Sequence, residues 1–122
     1  MVHVGSDQAR NLLTLRFQGR VTADETKRGV EDLKRTLAEL EPGIRLLTDM
    51  SGLEEMEFSC APHVEKVMDL CRDKGLTRVV RIIPDPHKDI GFNIMSLFHY
   101  QHSLRIVTCS TLEEAEKALT EP

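Results

Sequence analysis

Ile44-Arg-Leu-Leu-Thr-Asp49, running into Met50-Ser-Gly-Leu53 and on to Ser59, is the stretch around which the chain is organised. A short apolar run ends in Asp-Met-Ser-Gly, and a helix-start signal follows. The pattern predicts a central buried strand over 44–49, a loop over 50–58, and a helix with Ser59 as its N-cap. In open α/β sheets the C-terminal end of such a strand is where ligands and regulatory chemistry collect.

Upstream, 11–18 alternates, with Leu13, Leu15 and Phe17 on one face and Thr14, Arg16 and Gln18 on the other. Period-two alternation predicts a half-buried strand. A short strand over 2–4, followed by a polar turn over 5–10, would pair with it as a hairpin. Thr22-Ala-Asp-Glu25 is a capping box. Val30, Leu33, Leu37 and Leu40 behind it give an amphipathic helix that stops before Pro42-Gly43, and Gly29 within it marks close packing on the sheet.

Downstream, the helix after Ser59 carries Val64, Val67, Met68 and Cys71 and stops at Gly75. A β-branched strand follows over 76–83, then the turn Pro84-Asp-Pro-His-Lys88, which cannot continue it because proline lacks the ladder donor. Asp89 caps a helix over 90–100 that is apolar nearly all round. A last strand over 104–109 precedes overlapping capping boxes at Ser110 and Thr111 and a C-terminal helix. The order is ββαβαβαβα, an α/β pattern with a mostly parallel sheet. The expected strands carry Arg16, Arg45, Arg78, Arg81 and Arg105. A parallel sheet covered on both faces reads as nearly continuous apolar runs, so the arginines suggest one thinly covered face, with the helices mainly on the other.

The 122 residues are read as a single domain over 1–122, large enough to bury a core without metal or disulfide staples. A formal charge of −4 argues against nucleic acid as the partner. No stretch approaches a membrane span, and Met-Val-His-Val-Gly has no leader pattern. Cys60, Cys71 and Cys109 are an odd, irregular set that fits a reducing cytoplasm.

This order, the central Leu-Leu-Thr-Asp-Met-Ser-Gly-Leu, the helix start at Ser59 and the short last helix resemble the STAS fold, in its SpoIIAA-like, STAS/SEC14-type form. The resemblance spans almost the whole chain as topology and hydrophobic pattern. In anti-sigma-factor antagonists of this fold a serine within Asp-Ser-Ser-Gly, at the start of the helix after the central strand, is phosphorylated. The matching stretch here is Glu57-Phe58-Ser59-Cys60, with Phe58 at the phosphoacceptor position and Ser59 as the nearest hydroxyl. The resemblance implies a non-enzymatic regulatory or protein-interaction module, often a homodimer. Its SEC14-like branch implies a lipid or other apolar ligand as the alternative, with peripheral membrane contact.

Ser59 is therefore the expected phosphoacceptor, at a helix start whose dipole favours added phosphate. Its plain role is an N-cap. His87 and Lys88 offer an anion two donors beside the 90–100 helix, or they belong to a polar turn shaped by two prolines. Phe92, Met95 and Phe98, with Ile90, Ile94 and Leu97, exceed what one core-facing stripe needs. They point to deep burial or to a partner, ligand or membrane surface. Cys60-x-x-His63 and His99-x-x-His102 lie on different helices with nothing to bring them together, so neither a metal nor a cofactor is expected. Ser59, Cys60 and His63 lack a nucleophile elbow and an orienting acid, so no catalytic residue is expected. Glu54, Glu55 and Glu57 read as a solvated acidic loop.

Overall fold

The computed structural model describes residues 1–82 and 105–121. Among these, the strands form one five-stranded sheet in the order β1-β2-β3-β4-β5, comprising Val2–Asp7, Leu12–Val21, Arg45–Met56, Arg78–Ile82 and Arg105–Cys109. β1 runs antiparallel to β2, and every later neighbour is parallel. Helix α1 (Ala23–Ala38) joins β2 to β3, α2 (Ala61–Asp73) leads to β4, and α3 (Leu112–Thr120) follows β5. The expected turn at His87 and Lys88 and the expected helix over 90–100, with Phe92, Met95 and Phe98, lie outside the described residues.

Local chemistry sets the helix starts. The Thr22 hydroxyl accepts from Glu25 N–H, and the Glu25 carboxylate accepts from Thr22 N–H, which completes the capping box. Thr111 caps α3 by accepting from Glu114 N–H, while the Glu114 carboxylate reaches back to Ser110 N–H. Gly29 lies where a Cβ would come within 3.1 Å of Val2 Cγ1, so α1 rests directly on β1.

Strand alternation sorts the core into two layers. Leu13, Leu15, Phe17, Leu46 and Val79 pack beneath α1 and α2 with Leu33, Leu37, Val64 and Cys71. Leu12, Leu47, Val80, Ile82 and Cys109 face the other way, against Ala115, Ala118 and Leu119 of α3. Two of the three described helices thus share one face.

The second face is the thinly covered one, as expected, and among the described helices α3 alone lies on it. Arg45 and Arg78, side by side at the strand starts, cap the C-terminal end of α3. Arg45 donates to the Leu119 and Arg10 carbonyls, and Arg78 to the Ala118 and Glu121 carbonyls. Arg105, next in the same row, pairs with the Glu121 carboxylate. Guanidinium groups satisfy the orphan carbonyls at a helix end and complement its dipole. Arg16 pairs with Asp49, whereas Arg81, by alternation on the α1–α2 face, donates to Thr108 Oγ1.

Two boundaries also differ from expectation. Gly5, Ser6 and Asp7 belong to β1 and pair with Thr14, Leu13 and Leu12. The turn is confined to 8–11, where Arg10 bonds Asp7 and Asn11 adopts a positive φ of 49°. The segment 50–56 is strand, not loop. β3 takes one extra residue between Asp49 and Gly52 and another between Leu53 and Glu55. These bulges keep Met50, Leu53 and Met56, three residues apart, all buried on the core.

Candidate functional site

The end of β3 turns into a short 3-10 helix, Phe58–Cys60, before α2 begins. This turn is held to the junction between β2 and α1. Glu57 N–H donates to the Val21 carbonyl at 3.1 Å, and the Glu57 carboxylate accepts from Ala23 N–H at 2.9 Å. The Cys60 thiol also contacts the Val21 carbonyl, at 3.7 Å. Glu57 is thus a structural clasp that caps the start of α1, and Glu55 pairs with Arg20 at 3.5 Å. Glu54 and Glu55 are exposed, as expected, but lie on a strand, and Glu57 is engaged in holding the turn.

On this anchored turn the Phe58 ring is 67% exposed, and Ser59 beside it is exposed. Burying that ring against a partner would remove a large apolar surface from water. Sequence reasoning named Ser59 and passed over Phe58 as a binding residue. The available signal was a lone aromatic between Glu57 and Ser59, off any helical or strand stripe.

Ser59 is not the N-cap. It lies inside the 3-10 turn, and Cys60 holds the cap position of α2 without a side-chain bond. The reason is that Glu57, not Ser59, carries the extended backbone, at φ −64° and ψ 143°. The helix start is also poor in free donors. Cys60 N–H goes to the Glu57 carbonyl, Ala61 N–H goes to the Phe58 carbonyl, and Pro62 has none. A phosphate on Ser59 would feel the helix dipole but find few backbone N–H groups there.

Cys60 is buried, and burial pushes its thiol above the usual value, with the Thr26 side chain pulling weakly the other way. A protonated, carbonyl-bound thiol is a poor nucleophile. No hydrogen bond joins Ser59 to His63. Burial also raises Cys109, and Cys71 is pushed up to about 12. Among the described residues no three histidine, cysteine or carboxylate side chains cluster as a metal site.

Two further features border this region. Asp49, at the bulge of β3, accepts from Ser51 N–H at 3.0 Å and from the Ser51 hydroxyl at 2.6 Å, with Arg16 at 3.8 Å. Between β1–β2 and the helices α1 and α2 lies an apolar crevice of about 10 Å³, bounded by Val2, Val4, Phe17, Gly29, Val64 and Val67. That is room for about one water. No helix among the described residues is long and apolar enough to cross a membrane.

No family model and no curated protein matches the sequence. Solved structures do match its fold. The anti-sigma factor antagonist SpoIIAA, in its unphosphorylated form, aligns over 100% of both chains at 14% identity with a TM-score of 0.67. An uncharacterized DUF3478-family protein from Shewanella loihica PV-4, with a SpoIIAA-like fold, aligns over 98% of this chain and 92% of its own at 17% identity, with a TM-score of 0.62. Both alignments span nearly the whole of this chain, and it has the STAS/SpoIIAA-like fold.

Proposed function

We propose that this chain is a non-catalytic regulatory module that binds another protein through the surface around the start of α2. The exposed Phe58 ring on a turn clasped to the β2–α1 junction carries the reading. A partner that covers it gains apolar burial without first having to order the turn, since the clasp already does so. Ser59 borders the same surface, and His87, Lys88, Phe92, Met95 and Phe98 extend it in the proposal. The buried, protonated Cys60 and the unlinked Ser59 and His63 support a role without covalent chemistry. The fold it shares with an anti-sigma factor antagonist supports a protein as the target. The alternative, a carrier or sensor of a lipid or other apolar ligand, would hold its ligand between the sheet and the expected 90–100 helix, which lies outside the described residues; the crevice bordering α1 and α2, far smaller than the roughly 300 Å³ of a small-molecule pocket, is not its seat.

The test is quantitative affinity capture, with Phe58→Ala compared with wild type and with Leu112→Ala, a second exposed apolar residue on α3. A protein retained by wild type and Leu112→Ala in stoichiometric amount, and weakened about tenfold or more by Phe58→Ala, is the expected result. A partner indifferent to Phe58→Ala would overturn the proposal. Ser59→Glu, which mimics an added charge beside Phe58, is expected to weaken the same complex.

A further inference from the structure

We infer that Arg45 and Arg78 form a binding site for a phosphate group at the N-terminal ends of β3 and β4. The site lies at the opposite end of β3 from Phe58 and does not rest on the surface proposed there.

Neighbouring strands here open on arginine. Arg45 stands opposite Arg78, and Arg78 opposite Arg105, in direct register. Adjacent strands are about 4.8 Å apart, and like charges placed directly opposite repel. Charges withdrawn from water are paired with an opposite charge, and this chain does so nearby. Arg10 holds both Asp7 and Glu116, and Arg105 holds Glu121. Arg45 and Arg78 are half-buried, yet among the described residues they bond only neutral main-chain carbonyls and no carboxylate. The partial negative charge at the end of α3 offsets only part of their combined charge.

Those carbonyls aim the pair. Arg45 reaches Leu119, and Arg78 reaches Ala118 and Glu121, all around the last turn of α3. The two guanidiniums therefore converge, fixed by strands at one end and by the helix at the other. Donors remain on both. A guanidinium has five N–H donors. Arg78 engages its carbonyls through Nη1 alone, at 3.1 and 2.6 Å, so its Nε and Nη2 have no partner among the described residues. That edge is a fork that takes an oxyanion by two parallel bonds. Arg45 uses Nη1 and Nη2 and keeps Nε. A phosphate group matches this set in charge and in shape. It brings about two negative charges, and its several oxygens can accept from both guanidiniums without displacing a carbonyl. A carboxylate has one negative charge and satisfies one fork.

The test is an NMR titration of the full chain with inorganic phosphate and, separately, with glycerol phosphate, each against sodium chloride at matched ionic strength. The Nε–H signals of Arg45 and Arg78 should shift saturably with phosphate and not with chloride, while those of the exposed Arg20 and Arg28 stay in place. A response to both ligands supports the inference and shows that free phosphate suffices. A response to glycerol phosphate alone supports it with a phosphorylated small molecule as the ligand. Arg78→Lys keeps the charge and removes the fork, and should weaken binding about tenfold or more. Amide exchange of α3 on the same variant reports whether the helix keeps its seat. Shifts that do not saturate, that chloride reproduces, or that centre on other arginines overturn the inference. So does unchanged binding by Arg78→Lys with α3 seated. The wild-type titration decides the matter even if the variant fails to fold.

Discussion

Cys71 lies on the buried side of α2, and its thiol is pushed up to about 12 by burial alone. In the unfolded chain the same thiol ionises near its ordinary value of 9.0. A raised folded value means that the folded state holds the proton longer than the unfolded state. Its contribution is therefore complete below pH 9 and is lost as the pH rises toward 12. Stability should fall by about 1.4 kcal/mol per pH unit for this one thiol in that window. Urea unfolding between pH 9 and 11 checks this, and Cys71→Ala should shed one proton's share of the slope. Cys71 reads as a core residue in the sequence because it shares the helical stripe of Val64, Val67 and Met68. Cys60 does not, since its burial depends on the turn clasped by Glu57, a contact between residues far apart in the chain.

At the scale of the element, β3 is the informative case. Its first half is a short apolar run buried on both faces, and was legible as a strand. Its second half buries Met50, Leu53 and Met56 at steps of three, which matches neither strand nor helix periodicity and reads as a loop. Two bulges produce that step, and only the register with β2 reveals them. The two readings differ in energy. A loop leucine is cheap to truncate, whereas Leu53, fully buried here, should lose about 3 kcal/mol on Leu53→Ala. The neighbouring Glu55→Ala, which removes an exposed pair with Arg20, should stay within about 1 kcal/mol. Chemical denaturation of both variants separates the cases. The capping box of α1 and the Thr111 cap of α3 were legible because their chemistry is local. The start of α2 was misread because Ser59 has the composition of a cap while the backbone places the cap at Cys60.

Across the whole molecule, the ββαβαβ…βα order and the two-layer core follow from sequence patterns, but the cover over the arginine-bearing face does not. α3 docks there through Ala115, Ala118 and Leu119 and through main-chain carbonyls, and carbonyls leave no mark in a sequence. Arg10 adds a tie between the ends of the chain by pairing with Asp7 in the β1–β2 turn and with Glu116 on α3. The Arg10 guanidinium holds the Asp7 carboxyl below its ordinary value of 3.8. A depressed folded value makes this contribution complete above that pH and lost as the pH falls through the folded value. Arg10→Met should therefore narrow the gap in stability between neutral pH and pH 3. Thermal unfolding of wild type and variant at the two pH values measures it.

The arginine cap on α3 has a consequence for how freely this part of the chain can be rewritten. Arg45 and Arg78 recognise carbonyl oxygens that every amino acid supplies, so the cap is indifferent to what α3 displays on its outer side. Glu113 and Lys117 are exposed there and open to replacement, while the small residues at 115 and 118 and the leucine at 119 are not. Divergent descendants, or a designer, can therefore give this helix a new outward vocabulary while its seat on the sheet stays fixed.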